Sequence, residues 1–190
     1  KMPTQIAEGS WPNLKIGLLS FGSMSEQAVI SLIQLVQIAV QYGGTVVIPD
    51  NATFIQTEAF VELVGGQHDK KTLSYGECQI KPGLHIMDTQ TGQAVETLTG
   101  LGATGVDLVI AHVINTPIQS HPIIPVLQFS SHLPTIEMYG SDLDFVGNDI
   151  SFKQLLVLIQ SVASREYIPK LHSYGNTDFQ VTRGLLGISL

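Results

Sequence analysis

The chain has 190 residues, 44% of them hydrophobic and only 13% charged, which suits a single domain with one sizeable buried core. A formal charge of -7, with nine Lys and Arg that form no stripe, argues against a phosphate-binding surface and so against nucleic acid as a partner. Cys78 is the sole cysteine, so an intrachain disulfide is excluded and a reducing, cytoplasmic setting is the simpler expectation.

Residues 27 to 49 carry no formal charge, but Gln27, Gln34, Gln37 and Gln41 interrupt the run and Gly43-Gly44 ends its helical part. No membrane span is expected there. The N-terminus lacks the basic-then-apolar pattern of a signal peptide. Lys1 stands where an initiator methionine would, which leaves room for a longer polypeptide with further domains.

Leu14 to Ser20 reads as a first strand and Phe21-Gly22-Ser23 as the turn after it. Ser23 and Glu26 have the spacing of a capping box, so a helix is expected from about Met24 to Tyr42. Its polar residues Gln27, Ser31, Gln34, Gln37 and Gln41 form one narrow stripe on an otherwise apolar cylinder, as in a helix covered on most sides. Thr45 to Pro49 is the next strand, followed by Asp50-Asn51 and a helix around Glu58 to Val64. Gly65 to Lys81 reads as a polar connection and Gly83 to Met87 as a strand. A helix then follows, whose buried face carries Ala94, Val95, Leu98 and Leu101. Asp107 to Ile114 and Ile124 to Phe129 are further strands, and Phe152 to Ser164 is a helix capped by Ser151. Strands alternating with helices predict a three-layer, Rossmann-like α/β domain, with a mostly parallel sheet flanked by helices.

In such a sheet ligands bind beyond the carboxyl ends of the strands. The residues there are Ser20, Gly22 and Ser23, then Asp50 and Asn51, then Asp88, Thr89 and Thr91, then His112, Asn115 and Thr116. The segment Asp88 to Gly92 suits an anion, since free amides at a helix start can bind a carboxylate; the alternative is that Thr89 or Thr91 simply caps the helix. His112 lies in an apolar run, as would a base tuned by burial or a core histidine with satisfied hydrogen bonds. Spacing alone defines no metal set among the histidines. There is no G-x-G-x-x-G, Walker A lysine, G-x-S-x-G or H-E-x-x-H, and Glu77 beside Cys78 disfavours a thiolate.

Leu73-Ser74-Tyr75-Gly76-Glu77, followed by Lys81-Pro82-Gly83-Leu84-His85-Ile86-Met87-Asp88-Thr89, resembles a stretch of the altronate/galactarate dehydratase (UxaA) family. Leu14 to Leu18, Gly43 to Val47, Glu96 to Gly105 and Ile123 to Val126 are similar to further segments of that family's C-terminal domain, so the likeness runs over most of residues 14 to 170. The sequence differs at Phe21-Gly22-Ser23-Met24, where the family has an aspartate, and at Asn115 to Ser120, where it has an arginine.

The resemblance implies a hydro-lyase that removes water from an aldonate or aldarate, such as galactarate or altronate, to give a 2-keto-3-deoxy acid. It also implies a divalent metal, iron in the family, and other dehydratase domains or subunits as partners. For such chemistry the strand-end rim offers His112 as the catalytic residue and Gly22, Ser23, Asp88, Thr89, Thr91, Asn115 and Thr116 as the substrate-binding set. The competing readings are a non-catalytic small-ligand-binding or assembly domain that keeps the scaffold, and a homo-oligomerisation role.

Overall fold

The computed structural model describes residues 11–65, 71–78, 81–89, 92–147 and 151–180. Seven parallel strands form one sheet: β1 (Lys15–Ser20), β2 (Thr45–Pro49), β3 (Lys71–Leu73), β4 (Gly83–Met87), β5 (Leu108–His112), β6 (Val126–Ser130) and β7 (Phe145–Val146). Their order is β3-β4-β2-β1-β5-β6-β7. The chain winds outward from β1 in one direction and, from β5, in the other, so the winding reverses between β1 and β5. β5 is buried throughout and β1 from its second residue, as expected of central parallel strands covered on both faces.

The described residues also form six α-helices: α1 (Glu26–Gln41), α2 (Glu58–Gly65), α3 (Ala94–Ala103), α4 (Leu133–Tyr139), α5 (Phe152–Ala163) and α6 (Lys170–Ser173). Alternate strand residues point to opposite faces. On one face Ile16, Leu18, Ile48 and Ile110 meet Leu32, Leu35 and Val36 of α1 and Leu155 and Ile159 of α5. On the other, Leu19, Val47, Val109 and Val126 meet Leu98 and Leu101 of α3. The architecture is therefore the expected three-layer α/β fold, with a sheet parallel at every pairing. No helix among the described residues is long and apolar enough to cross a membrane.

α1 is capped by Ser25, whose hydroxyl accepts from the Ala28 N–H at 3.3 Å, and not by the expected Ser23. Glu26 is the first helical residue and stands too early to close a box with Ser23. The four glutamines of the stripe are exposed, but Ser31 is buried beneath Gln27, whose amide reaches it at 3.4 Å. At α5 the capping box is complete between Ser151 and Gln154. The connection expected between Gly65 and Lys81 contains β3, a three-residue edge strand. Within α3, Leu98 and Leu101 are buried, whereas Ala94 and Val95 are only half-buried and Glu96 and Thr97 take their place in the interior.

Gly100 in α3 lies against the Tyr75 ring, which is fixed by a 2.6 Å bond from its hydroxyl to the Glu96 carbonyl. A Cβ at position 100 would stand 2.5 Å from that ring. Gly100→Ala is expected to lose about 1–3 kcal/mol of stability through overpacking, measured by urea denaturation; an unchanged midpoint would show that the ring yields freely.

Candidate functional site

The reversal between β1 and β5 opens a crevice at the carboxyl edge of the sheet, the usual ligand position in this class of fold. Ser20 ends β1 and His112 ends β5, paired in register. His112 is fully buried, at 0% exposure. Its Nδ1 lies 3.1 Å from the Phe21 carbonyl. Its Nε2 lies 3.0 Å from the Ser131 hydroxyl and accepts from the Ser131 N–H at 3.3 Å.

A nitrogen that accepts from a backbone N–H carries no proton, so these partners assign the ring proton to Nδ1, donating to Phe21. Burial is the main cause that lowers the His112 pKa from 6.5 to about 4, against the raising effect of the Phe21 bond; nearby His132 lowers it further. At neutral pH the ring is uncharged.

Ser131 is the link between this ring and solvent. It is half-buried, directly beyond β6, and its hydroxyl both donates to His112 and accepts the Ser25 N–H at 3.0 Å. Ser131 also lines an open groove of about 820 Å³. Ser25, Glu26, Gln27 and Ile30 of the α1 start form one side of it, and Ser131 to Pro134 the other. Glu26 brings the groove's one carboxylate. A second relay runs beside the first: the Thr135 hydroxyl accepts from the Asn115 N–H at 3.0 Å and pairs with His132 Nδ1 at 2.9 Å.

The expected site residues divide into two groups. Gly22, His112 and Asn115 lie around the crevice. Gly22 has φ +60, and a Cβ there would collide with Ile114, so this glycine serves the close approach of two loops. The Gly22 carbonyl accepts the Thr53 hydroxyl at 2.7 Å. Asn115 is exposed at φ 67 and contributes its backbone amide to Thr135. Ser23 and Thr116 are exposed in the same two loops.

Asp88 and Thr89 lie instead beyond β4, separated from β1 by β2 and so roughly 10 Å away across the sheet. Thr89 donates its backbone N–H, at 3.0 Å, and its hydroxyl to Asp50 Oδ1, which ties the β2 and β4 loops. Thr91 lies outside the described residues. α3 starts at Gln93 without a side-chain cap, so Thr89 is a loop tie and not the cap of this helix. Asp88 is exposed.

Sequence reasoning did not select Ser131, Ser25 or Thr135. Among the described residues no three His, Cys, Asp or Glu side chains converge into a cation-holding group. Both His112 nitrogens and Asp50 Oδ1 are already committed to hydrogen bonds. Neither a comparison with protein-family models nor one with curated proteins finds a match for this chain.

The buried neutral ring has a pH signature. Its pKa is lower folded than unfolded, so the unfolded chain binds the proton more readily. The stabilising contribution is complete above 6.5 and is lost as pH falls from there to about 4. The loss amounts to about 3 kcal/mol. Urea denaturation across this range is expected to show it, and His112→Gln is expected to flatten the curve by that share; an equal slope in the variant would assign the effect elsewhere.

Proposed function

We propose that this chain is the α/β module of a cytoplasmic sugar-acid dehydratase, which seats an aldonate or aldarate such as galactarate or altronate over the groove and eliminates water to give a 2-keto-3-deoxy acid. The observation that supports the reading best is the Ser131–His112 pair, a neutral buried imidazole joined through a half-buried serine to an open groove of mixed polar and apolar lining. The motif series from Leu73 to Thr89 and from Glu96 to Gly105 supports the same assignment.

Dehydration needs a group to take the proton beside the carboxylate, stabilisation of the enediolate and an acid for the departing hydroxyl. In this reading Ser131 touches the substrate, passes the proton to His112 Nε2 and is reset when that proton returns to the leaving hydroxyl. His112 works through Ser131, because its ring has no exposed surface. Glu26 and Gln27 meet the substrate hydroxyls. An imidazole with a pKa of about 4 is always free to accept at neutral pH but is a weak base, so the enediolate needs strong electrostatic support. A divalent cation supplies that when bound. No three potential ligands converge among the described residues, so in this reading its ligands would lie elsewhere, in other domains or subunits.

The full commitment of both His112 nitrogens favours a second reading, a small-ligand-binding or assembly domain without turnover. The two separate in one experiment. The chain, alone and with partner dehydratase domains, is incubated with a panel of aldonic and aldaric acids with and without Fe²⁺ or Mn²⁺, and 2-keto acid formation and binding are followed. Turnover is expected, and Ser131→Ala is expected to lower kcat by about 10²–10⁴-fold with little change in KM. Saturable binding without turnover supports the second reading; neither binding nor turnover sinks both.

A further inference from the structure

We propose that residues 170–180 form a strap latched over the β5–β6 connection by neutral His121 and released when that imidazole takes up a proton. This connection contains no helix, and its turn at Ser120-His121 is where the strap is seated. The Ser120 N–H donates to the Asn176 carbonyl and the Asp178 N–H to the Ser120 carbonyl, both at 2.9 Å, around a parallel bridge between Ser120 and Thr177. His172 Nδ1 approaches the His121 carbonyl at 3.2 Å. Phe179 sets its ring against His121, with centroids 5.5 Å apart at 71°. Upstream, Asp144 fixes the start of the strap by accepting the Lys170 N–H at 2.9 Å.

The geometry makes this seat sensitive to one proton. His121 is only 3% exposed, and its Nδ1 accepts the N–H groups of both Ile123 and Ile124 at 3.2 Å. The ring proton therefore resides on Nε2. A second proton would occupy Nδ1 and face two N–H donors, breaking both bonds and placing a charge beneath the strap. The titratable groups around it do not offset that charge. His172 is itself basic, and burial is the sole cause acting on the His121 pKa, with no opposing contribution from the Asp178 carboxylate, which holds the Phe179 N–H at 2.7 Å and meets Gln180. The α3 turn that meets Ile124, at Gly102, carries no charged residue. Burial alone lowers the His121 pKa from its ordinary 6.5.

Opening restores that ordinary value. Between 6.5 and the closed-state pKa, the opening equilibrium should therefore rise about tenfold for each unit by which pH falls. Hydrogen exchange of the intact chain, followed residue by residue by NMR from about pH 7 to about pH 5 and corrected for intrinsic rates, tests this directly. The Ser120 and Asp178 amides are expected to show the slope while exchanging faster than the Val109 amide in the sheet, which opens only with global unfolding. His121→Phe, which keeps an aromatic ring for Phe179, should abolish the slope, and His172→Gln should retain it. Opening independent of pH, a slope that survives His121→Phe or one lost in His172→Gln would overturn the proposal. Should His121→Phe fail to fold, the wild-type His121 ring titration must share its midpoint with strap opening, and a mismatch overturns it equally.

Discussion

A single uncharged imidazole, buried where the winding of the sheet reverses, joins the loops after β1, β5 and β6. His112 donates to the loop after β1, through the Phe21 carbonyl, and accepts from the loop after β6, through both the N–H and the hydroxyl of Ser131. Its own carbonyl accepts the Phe21 N–H at 3.1 Å, so the β1 loop is held by the backbone and by the ring. Removing the ring would leave buried donors and an acceptor unpaired, at about 1–3 kcal/mol each. The Phe129 ring stands edge-on to the imidazole at 5.1 Å and excludes water from this position. The carboxyl edge is thereby fixed by one group that has to remain neutral.

That constraint shapes what the crevice offers a ligand. The ring is withheld from solvent, and its contact with the groove runs through Ser131, whose hydroxyl also accepts from the start of α1. The groove mixes two hydroxyls, an amide, an imidazole and a carboxylate with apolar Ile30, Leu133 and Pro134, and has no lysine or arginine among its described lining. The β2–β4 corner, tied by Asp50 and Thr89, is a separate feature across the sheet. A substrate spanning both would be large.

Much of the scaffold was legible in the sequence because its strands are short apolar runs between turn residues, a pattern that buried parallel strands share. β2 and β4 begin and end where their Gly, Pro and Asp neighbours indicate, and Ser151 caps α5 as its spacing to Gln154 requires. What escaped has physical reasons. β3 and β7 have three and two residues, too few for any periodicity. α4 starts at Leu133-Pro134, where proline reads as a loop although it is tolerated in a first helical turn. At the start of α1, two serines compete for one cap, and the nearer one takes it. The crevice itself followed from strand ends, which gave Gly22, His112 and Asn115. Ser131 was missed because β6 was expected to stop at Phe129, one residue short of its end at Ser130.

The account depends most on the protonation state of His112, and nitrogen NMR of its ring reads that state directly. The expected spectrum at neutral pH has one protonated nitrogen, Nδ1, and one bare nitrogen, Nε2, coupled to the Ser131 hydroxyl, and it should persist as pH falls until the imidazole titrates near about 4. A ring protonated on both nitrogens at pH about 6, or a proton residing on Nε2, would contradict it, because Ser131 would then have no acceptor at the foot of the groove.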